Sequence, residues 1–213
     1  MNKVLDELPE LLLIGGGGHC HSCIDVIEAE SKFRIAGIVN HTECKSDSVL
    51  GYKVLGNDSN LSELLKKYQM ALVTVGQIKN PNLRIKLYST LKDKGAYLPI
   101  IISPQAYVSP HAEIKEGTII MHGAIINAGS TIGKNCIINT SALVEHDVAI
   151  GDNSHISTKS VVNGGTIICK NTFIGSSTVT KENITIGMNS VVGAGLSVMC
   201  NLPAETFLKN NKN

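Results

Sequence analysis

The chain has 213 residues, 43% apolar and 17% charged, with a formal net charge of +1. That near-neutrality excludes a cationic field for gripping nucleic acid, and 4% aromatic content without Trp excludes a base-stacking platform. No apolar run approaches the roughly 20 residues needed to cross a bilayer, so a cytoplasmic protein without membrane insertion is expected.

Leu11–Ile14 reads as a buried strand; it is short and follows Asp6, Glu7 and Glu10, unlike a signal peptide. It runs into Gly15-Gly16-Gly17-Gly18, and Ser22–Glu30 carries helical spacing at Ile24 and Ile27. Ile35–Val39 predicts a second strand, Leu61–Tyr68 a helix, and Ala71–Val75 a strand ending at Gly76. Pro81–Lys94 predicts a helix with Pro near its start, and Tyr97–Ile102 a last strand. Alternating β and α over residues 1–103 predicts a small Rossmann-like parallel sheet.

The glycine turn joins a strand to a helix, where bare N–H groups and a helix N-terminus can hold a phosphate. A dinucleotide fingerprint would place Gly where Cys20 stands and an acid near Asn40 and His41, so NAD is not expected. Another phosphate-bearing ligand and a purely structural turn both remain open. His19-Cys20-His21-x-Cys23 invites a zinc reading, but adjacent side chains diverge and no second ligand cluster follows, so no metal is expected. The six cysteines are scattered and read as reduced thiols.

Ser103-Pro104 opens the second region, residues 104–213. Every sixth residue from Val108 to Val198 is Val or Ile, with Thr180 the one departure. Neither helix nor strand periodicity gives this spacing; a β-helix does. Each hexad supplies one short strand and a corner, and three hexads make an eighteen-residue triangular coil of a left-handed parallel β-helix. The stiff β-branched residues point inward and stack eighteen apart. Small residues recur four places later (Ala112, Thr118, Ala124, Ser130), where an inward side chain near a corner has little room. Gly133, Gly151, Gly175, Gly187 and Gly193 follow the inward aliphatic, where a corner is expected to need an unusual backbone angle.

Glu145-His146-Asp147, with His155 nine residues on, is the best catalytic candidate. His146 is the second residue after inward Val144 and should point outward near a corner. One coil away on either side stand Ala128 and Gly164, both small, leaving room beside the imidazole. A neighbouring carboxylate can fix its tautomer and raise its basicity. Adjacent strand side chains face apart, so Asp147 reaches His146 only if the corner bends the chain; a solvated surface pair is the alternative. His111 and His122 read as surface residues. Cys136 falls at an inward position and Cys169 has no histidine beside it, which disfavours a cysteine nucleophile.

The turn Gly17-Gly18-His19, followed by a β-helix carrying Asn139-Thr140-Ser141-Ala142-Leu143-Val144-Glu145-His146-Asp147 and Ile150-Gly151-Asp152-Asn153-Ser154-His155-Ile156, resembles sugar acetyltransferases of the PglD/NeuD type. The resemblance spans nearly the whole chain. It implies a homotrimer that binds acetyl-CoA between neighbouring β-helices, with a nucleotide sugar lying against the N-terminal domain. By matching motifs it implies His146 as general base, Asp147 as its orienting carboxylate, and His155 near the thioester. Gly164, Gly175, Ser176 and Ala194 match positions lining the CoA groove, while Gly17, Gly18, His19 and Asn40 match positions near the nucleotide. Many relatives carry an acid at Asn40, and many end in a Gly-x-Pro-Ala-Lys segment where this chain has Phe207–Asn213; either CoA affinity is then reduced, or Lys209 and Lys212 supply the cationic contact.

The expected reaction is direct N-acetylation of a UDP- or GDP-linked 4-amino sugar for surface glycans, an outward N–H such as that of Gly164 holding the oxyanion. O-acetylation of a sialic-acid-type sugar is the alternative within the fold, and a non-catalytic nucleotide-binding β-helix scaffold is the alternative outside it.

Overall fold

The computed structural model describes residues 8–41 and 47–209; Cys44 and Lys212 lie outside them. Two compact units are present, one comprising residues up to Gly76 together with Asn82–Ile101, the other Gln77–Pro81 together with the chain from Ile102.

The first unit runs β1 (Glu10–Ile14), α1 (Gly18–Glu30), β2 (Arg34–Val39), β3 (Ser48–Val49), β4 (Tyr52–Gly56), α2 (Leu61–Tyr68), β5 (Met70–Val73) and α3 (Asn82–Asp93). The sheet order is β3-β4-β2-β1-β5. β1 lies parallel between β2 and β5, and β4 extends the sheet parallel to β2. Central placement explains why Leu11–Ile14 is continuously apolar and buried: a parallel strand with both faces covered shows no alternation.

Three features differ from the sequence expectation. Helix α1 begins at Gly18, four residues before Ser22, because Cys20 and Cys23 are buried beside Ile24 and Ile27 and extend the apolar stripe. Reduced cysteine packs as a small hydrophobe. The hairpin β3–β4 has strands too short to announce themselves; its two-residue turn, Leu50-Gly51, has φ of +48° and +86°. The segment Tyr97–Ile102 is not one strand. Tyr97 bridges Met70, whereas Ile101–Ile102 joins the edge of a β-helix sheet. Pro99 intervenes and cannot donate to a ladder.

The second unit is the left-handed parallel β-helix. Its two-residue strands pair in parallel with partners eighteen positions on, as in Ile126↔Val144↔Val162, Ile132↔Ile150 and Ile138↔Ile156. From Ile120 to Val198 the inward Val, Ile and Thr180 are at most 3% exposed. The small inward residues carry hydroxyls that donate to a backbone carbonyl fifteen positions on: Ser130 to Glu145 (2.7 Å), Ser160 to Gly175 (2.8 Å), Thr166 to Lys181 (2.9 Å). Such bonds satisfy polar groups that the core would otherwise penalise. At another corner, Asn135, Asn153, Asn171 and Asn189 form an amide ladder.

The corner angle sits elsewhere than expected. The third residue after each inward aliphatic, from Gly117 to Gly195, has φ between +54° and +76°. Gly and Asn take most of these positions, as the left-handed region favours, with Ser141, Asp147, Lys159 and Ser177 at the others. Gly133, Gly151, Gly175, Gly187 and Gly193 lie outside that region and are needed for another reason. A Cβ on Gly151 would lie 2.5 Å from Lys170 N, and one on Gly175 2.5 Å from Ala194 N, the backbone of the next coil.

Candidate active site

His146 and Asp147 occupy one corner, after the strand Leu143–Val144. Asp147 has φ +59°, the left-handed corner position, and this turns its carboxylate back toward its predecessor. Its Oδ2 lies 2.9 Å from His146 Nδ1. The bend that a strand would forbid is thus part of the repeat. Asp147 raises the imidazole pKa above its ordinary value, chiefly through this hydrogen bond and further by its charge, with Glu145 adding to the effect. With Nδ1 donating to the carboxylate, Nε2 is the ring nitrogen free to take a proton.

Two glycines make room for this pair. A Cβ on Gly164, one coil above His146, would lie 2.7 Å from both Cε1 and Nε2 of the ring. A Cβ on Gly129, one coil below Asp147, would collide with Oδ1. Gly164 is itself buried. Glu145 is held from below by Asn127 Nδ2 (3.0 Å). Gly129 and Asn127 escaped the sequence analysis, although both are one coil, eighteen residues, from the motif.

His155 sits on a different face and is 6% exposed. Asn139 Nδ2 donates to its Nε2 (3.0 Å), an orientation fixed because Asn139 Oδ1 accepts the Thr140 N–H (2.8 Å). Nδ1 therefore carries the proton and donates to the Gln77 carbonyl. Gln77 Nε2 in turn reaches the Asn153 carbonyl (2.9 Å), and the Phe173 ring meets the imidazole edge-on at 5.2 Å. Both ring nitrogens are committed, and the residue ties Gln77 to the β-helix.

Gly175, Ser176 and Ala194 lie at a third position, the corner after Phe173–Ile174 and Val191–Val192. Ser176 Oγ bonds Ser157 Oγ (2.9 Å). The residues 146 and 176 are thirty apart, not a multiple of eighteen, so one chain does not stack them. Cys136 is inward and buried, as its register requires.

In the first unit the four glycines divide by role. A Cβ on Gly15, which has φ +109°, would collide with Val75. One on Gly16 would lie 2.6 Å from the Asn40 amide nitrogen, whereas Gly17 and Gly18 face open space. Helix α1 starts there with Gly17 as its N-cap and no side-chain cap; the Cys20 N–H turns back onto the Gly17 carbonyl (2.8 Å), and the positive end of the helix is suited to an anion. His19 lies in this first turn and packs near Gly76. Asn40 Oδ1 accepts the N–H of Gly16 (3.2 Å) and of His41 (3.0 Å). Its Nδ2 is buried with no acceptor among the described residues. The surrounding cleft, lined in part by Gly15, Asn40, His41 and Asp58, opens at the carboxyl ends of the strands, where ligands bind in open α/β sheets. Cys20 and Cys23 face the core, and burial pushes both thiols up, away from the thiolate a metal would require.

Residues 10–91 match the PglD N-terminal domain, and residues 129–164 match the bacterial transferase hexapeptide (six repeats). PerB from Caulobacter crescentus, solved in complex with CoA and GDP-perosamine, is 35% identical with a TM-score of 0.85, over 92% of this chain and 91% of that one. The acetyltransferase domain of PglB from Neisseria gonorrhoeae is 30% identical with a TM-score of 0.86, over 95% and 97%. WeeI from Acinetobacter baumannii, 22% identical over 94% and 97% with a TM-score of 0.81, shares the fold. With repeat, N-terminal domain and near full-length similarity in agreement, this chain belongs to the PglD-type family of sugar acetyltransferases.

Proposed function

We propose that the protein transfers the acetyl group of acetyl-CoA to the amine of a nucleotide-linked 4-amino sugar, with His146 as general base and Asp147 as its orienting carboxylate. The observation that carries this reading is the His146–Asp147 pair, 2.9 Å apart, seated between two glycines that admit it. The similarity to proteins solved with CoA and GDP-perosamine supports the substrate class. The amine nitrogen attacks the thioester carbonyl while His146 Nε2 takes its proton; the C–N bond forms, the C–S bond breaks, and the CoA thiolate leaves and is protonated. No metal takes part.

In this reading the N-terminal turn of α1, with Gly17, Gly18 and His19, receives the diphosphate. The unsatisfied Asn40 Nδ2 donates to an acceptor on the nucleoside. Gly175, Ser176 and Ala194 line the CoA groove. Because one chain does not stack them with His146, a homotrimer would supply them from a neighbour. A β-helix face bearing Tyr107, Ile125, Leu143, Val161 and Val179 is apolar, with Tyr107 and Ile125 exposed and the other three partly exposed, as such an interface requires. Lys209 stands exposed after the last strand and would meet CoA phosphates. Among the described residues no helix is long and apolar enough to cross a membrane, and an acetyl-CoA-dependent step on a nucleotide sugar fits the cytoplasm.

Thiol release from acetyl-CoA, measured with GDP- and UDP-linked 4-amino sugars and with hydroxyl-only analogues, tests the proposal. Turnover with an amino sugar is expected to fall about 10²–10⁴-fold in His146→Ala. Turnover only with hydroxyl acceptors, or an undiminished His146→Ala, would sink it.

A further inference from the structure

Thr180 is the one inward position in the hexad series that is neither Val nor Ile, and it is fully buried. Its hydroxyl changes the wiring of the solenoid at a single rung. On neighbouring rungs the residue after the inward aliphatic donates its N–H to the carbonyl of the next inward aliphatic in the stack, eighteen positions on from its predecessor, as Asn127 does to Val144 and Glu145 to Val162 (both 2.9 Å). Asn163 instead donates its N–H to Thr180 Oγ1 (3.0 Å), and its side-chain Nδ2 takes over the Thr180 carbonyl (2.7 Å). The strand pairing shortens accordingly: Val161↔Val179 remains, but Val162 and Thr180 no longer pair. The residue that follows Asn163 is Gly164, whose missing side chain is the seat of the His146 imidazole.

We infer that Thr180 and Asn163 are positioning residues for acetyl transfer. They fix the path of the chain into Gly164 and hence the surface against which His146 rests. A valine at 180 would restore the regular ladder carbonyl as acceptor for Asn163 N–H, freeing the Asn163 side chain and moving the Gly164 peptide. A buried hydroxyl in an aliphatic stack is not what stability alone would select, since Val and Ile serve at every other rung. The inference rests on His146 being the base.

The test compares Thr180→Val, Thr180→Ser and Thr180→Ala with His146→Ala, measuring kcat, KM for acetyl-CoA, the pH dependence of kcat/KM, and Tm. Thr180→Val should keep or raise Tm, lower kcat by roughly tenfold or more through misplacement of the base, and leave KM for acetyl-CoA within about twofold because uniform binding is untouched. Thr180→Ser should retain most of kcat even though it loses a buried methyl and some Tm, and Thr180→Ala should lose both. A kcat that follows Tm across the series rather than the hydroxyl overturns the inference, as does a Thr180→Val enzyme with unchanged kcat. An inactive His146→Ala beside a fully active Thr180→Val removes this inference alone; an active His146→Ala removes the base assignment and this inference together.

Discussion

Glycine does different work in the two units. In the β-helix, Gly151 and Gly175 stand where the backbone of the next coil passes, so a methyl group has nowhere to go. Gly164 differs from both, because the atom that claims its space belongs to the imidazole. In the α/β unit, Gly15 and Gly16 are crowded by Val75 and Asn40, yet Gly17 and Gly18 border open space. Under the proposed function that open pair, at the start of an uncapped helix, receives the diphosphate, whereas the crowded glycines are required by the packing around them.

Four substitutions sharpen or break that contrast. Gly164→Ala should have the largest effect: the methyl would lie 2.7 Å from His146 Nε2 and push the ring aside, and turnover should drop about 10²-fold with Tm nearly unchanged. An active Gly164→Ala enzyme would show that the ring position is not the catalytic one. Gly151→Ala should act through stability, costing about 1–3 kcal/mol by overpacking against Lys170 N, measured by denaturant unfolding, with kcat preserved in the folded fraction. Gly17→Ala should cost less than about 1 kcal/mol of stability, yet weaken binding of GDP or UDP several-fold by calorimetry; unchanged nucleotide affinity would make the turn purely structural.

The smallest effect is expected in the pH profile of Asp147→Asn. A general base works when neutral, so kcat/KM should rise with pH through the His146 pKa. Asp147 raises that pKa, first through its hydrogen bond. Its loss should move the acid limb to lower pH and lower the plateau, because a weaker and less oriented base remains. An acid limb that stays in place would separate the carboxylate from the titrating group.

Much of this was legible in the chain because a six-residue period assigns every side chain a direction. The inward stack, the outward His146 and the small neighbours at 128 and 164 all follow from counting by six and eighteen. The same counting stopped short at Asp147, since a two-fold strand alternation points it away from His146, and the left-handed corner that reverses it recurs at a residue of variable identity. The α/β unit has no such period. There the start of α1 was set by two buried thiols, and the expected strand Tyr97–Ile102 was split around Pro99 between two sheets.

By itself, the sequence determined the solenoid, its register and the outward direction of His146, because those depend on local repetition and on sterics that each hexad carries within it. Only the tertiary structure decided that Asp147 turns onto His146, that Gly129 and Gly164 frame that pair, that Thr180 rewires the rung beside it, and that His155 donates to the Gln77 carbonyl. Those outcomes depend on which backbone passes over which side chain, and on a segment, Gln77–Pro81, that belongs to the β-helix unit although its chain neighbours belong to the α/β unit. Contacts of that kind are set by packing across long sequence separations, and no local pattern encodes them.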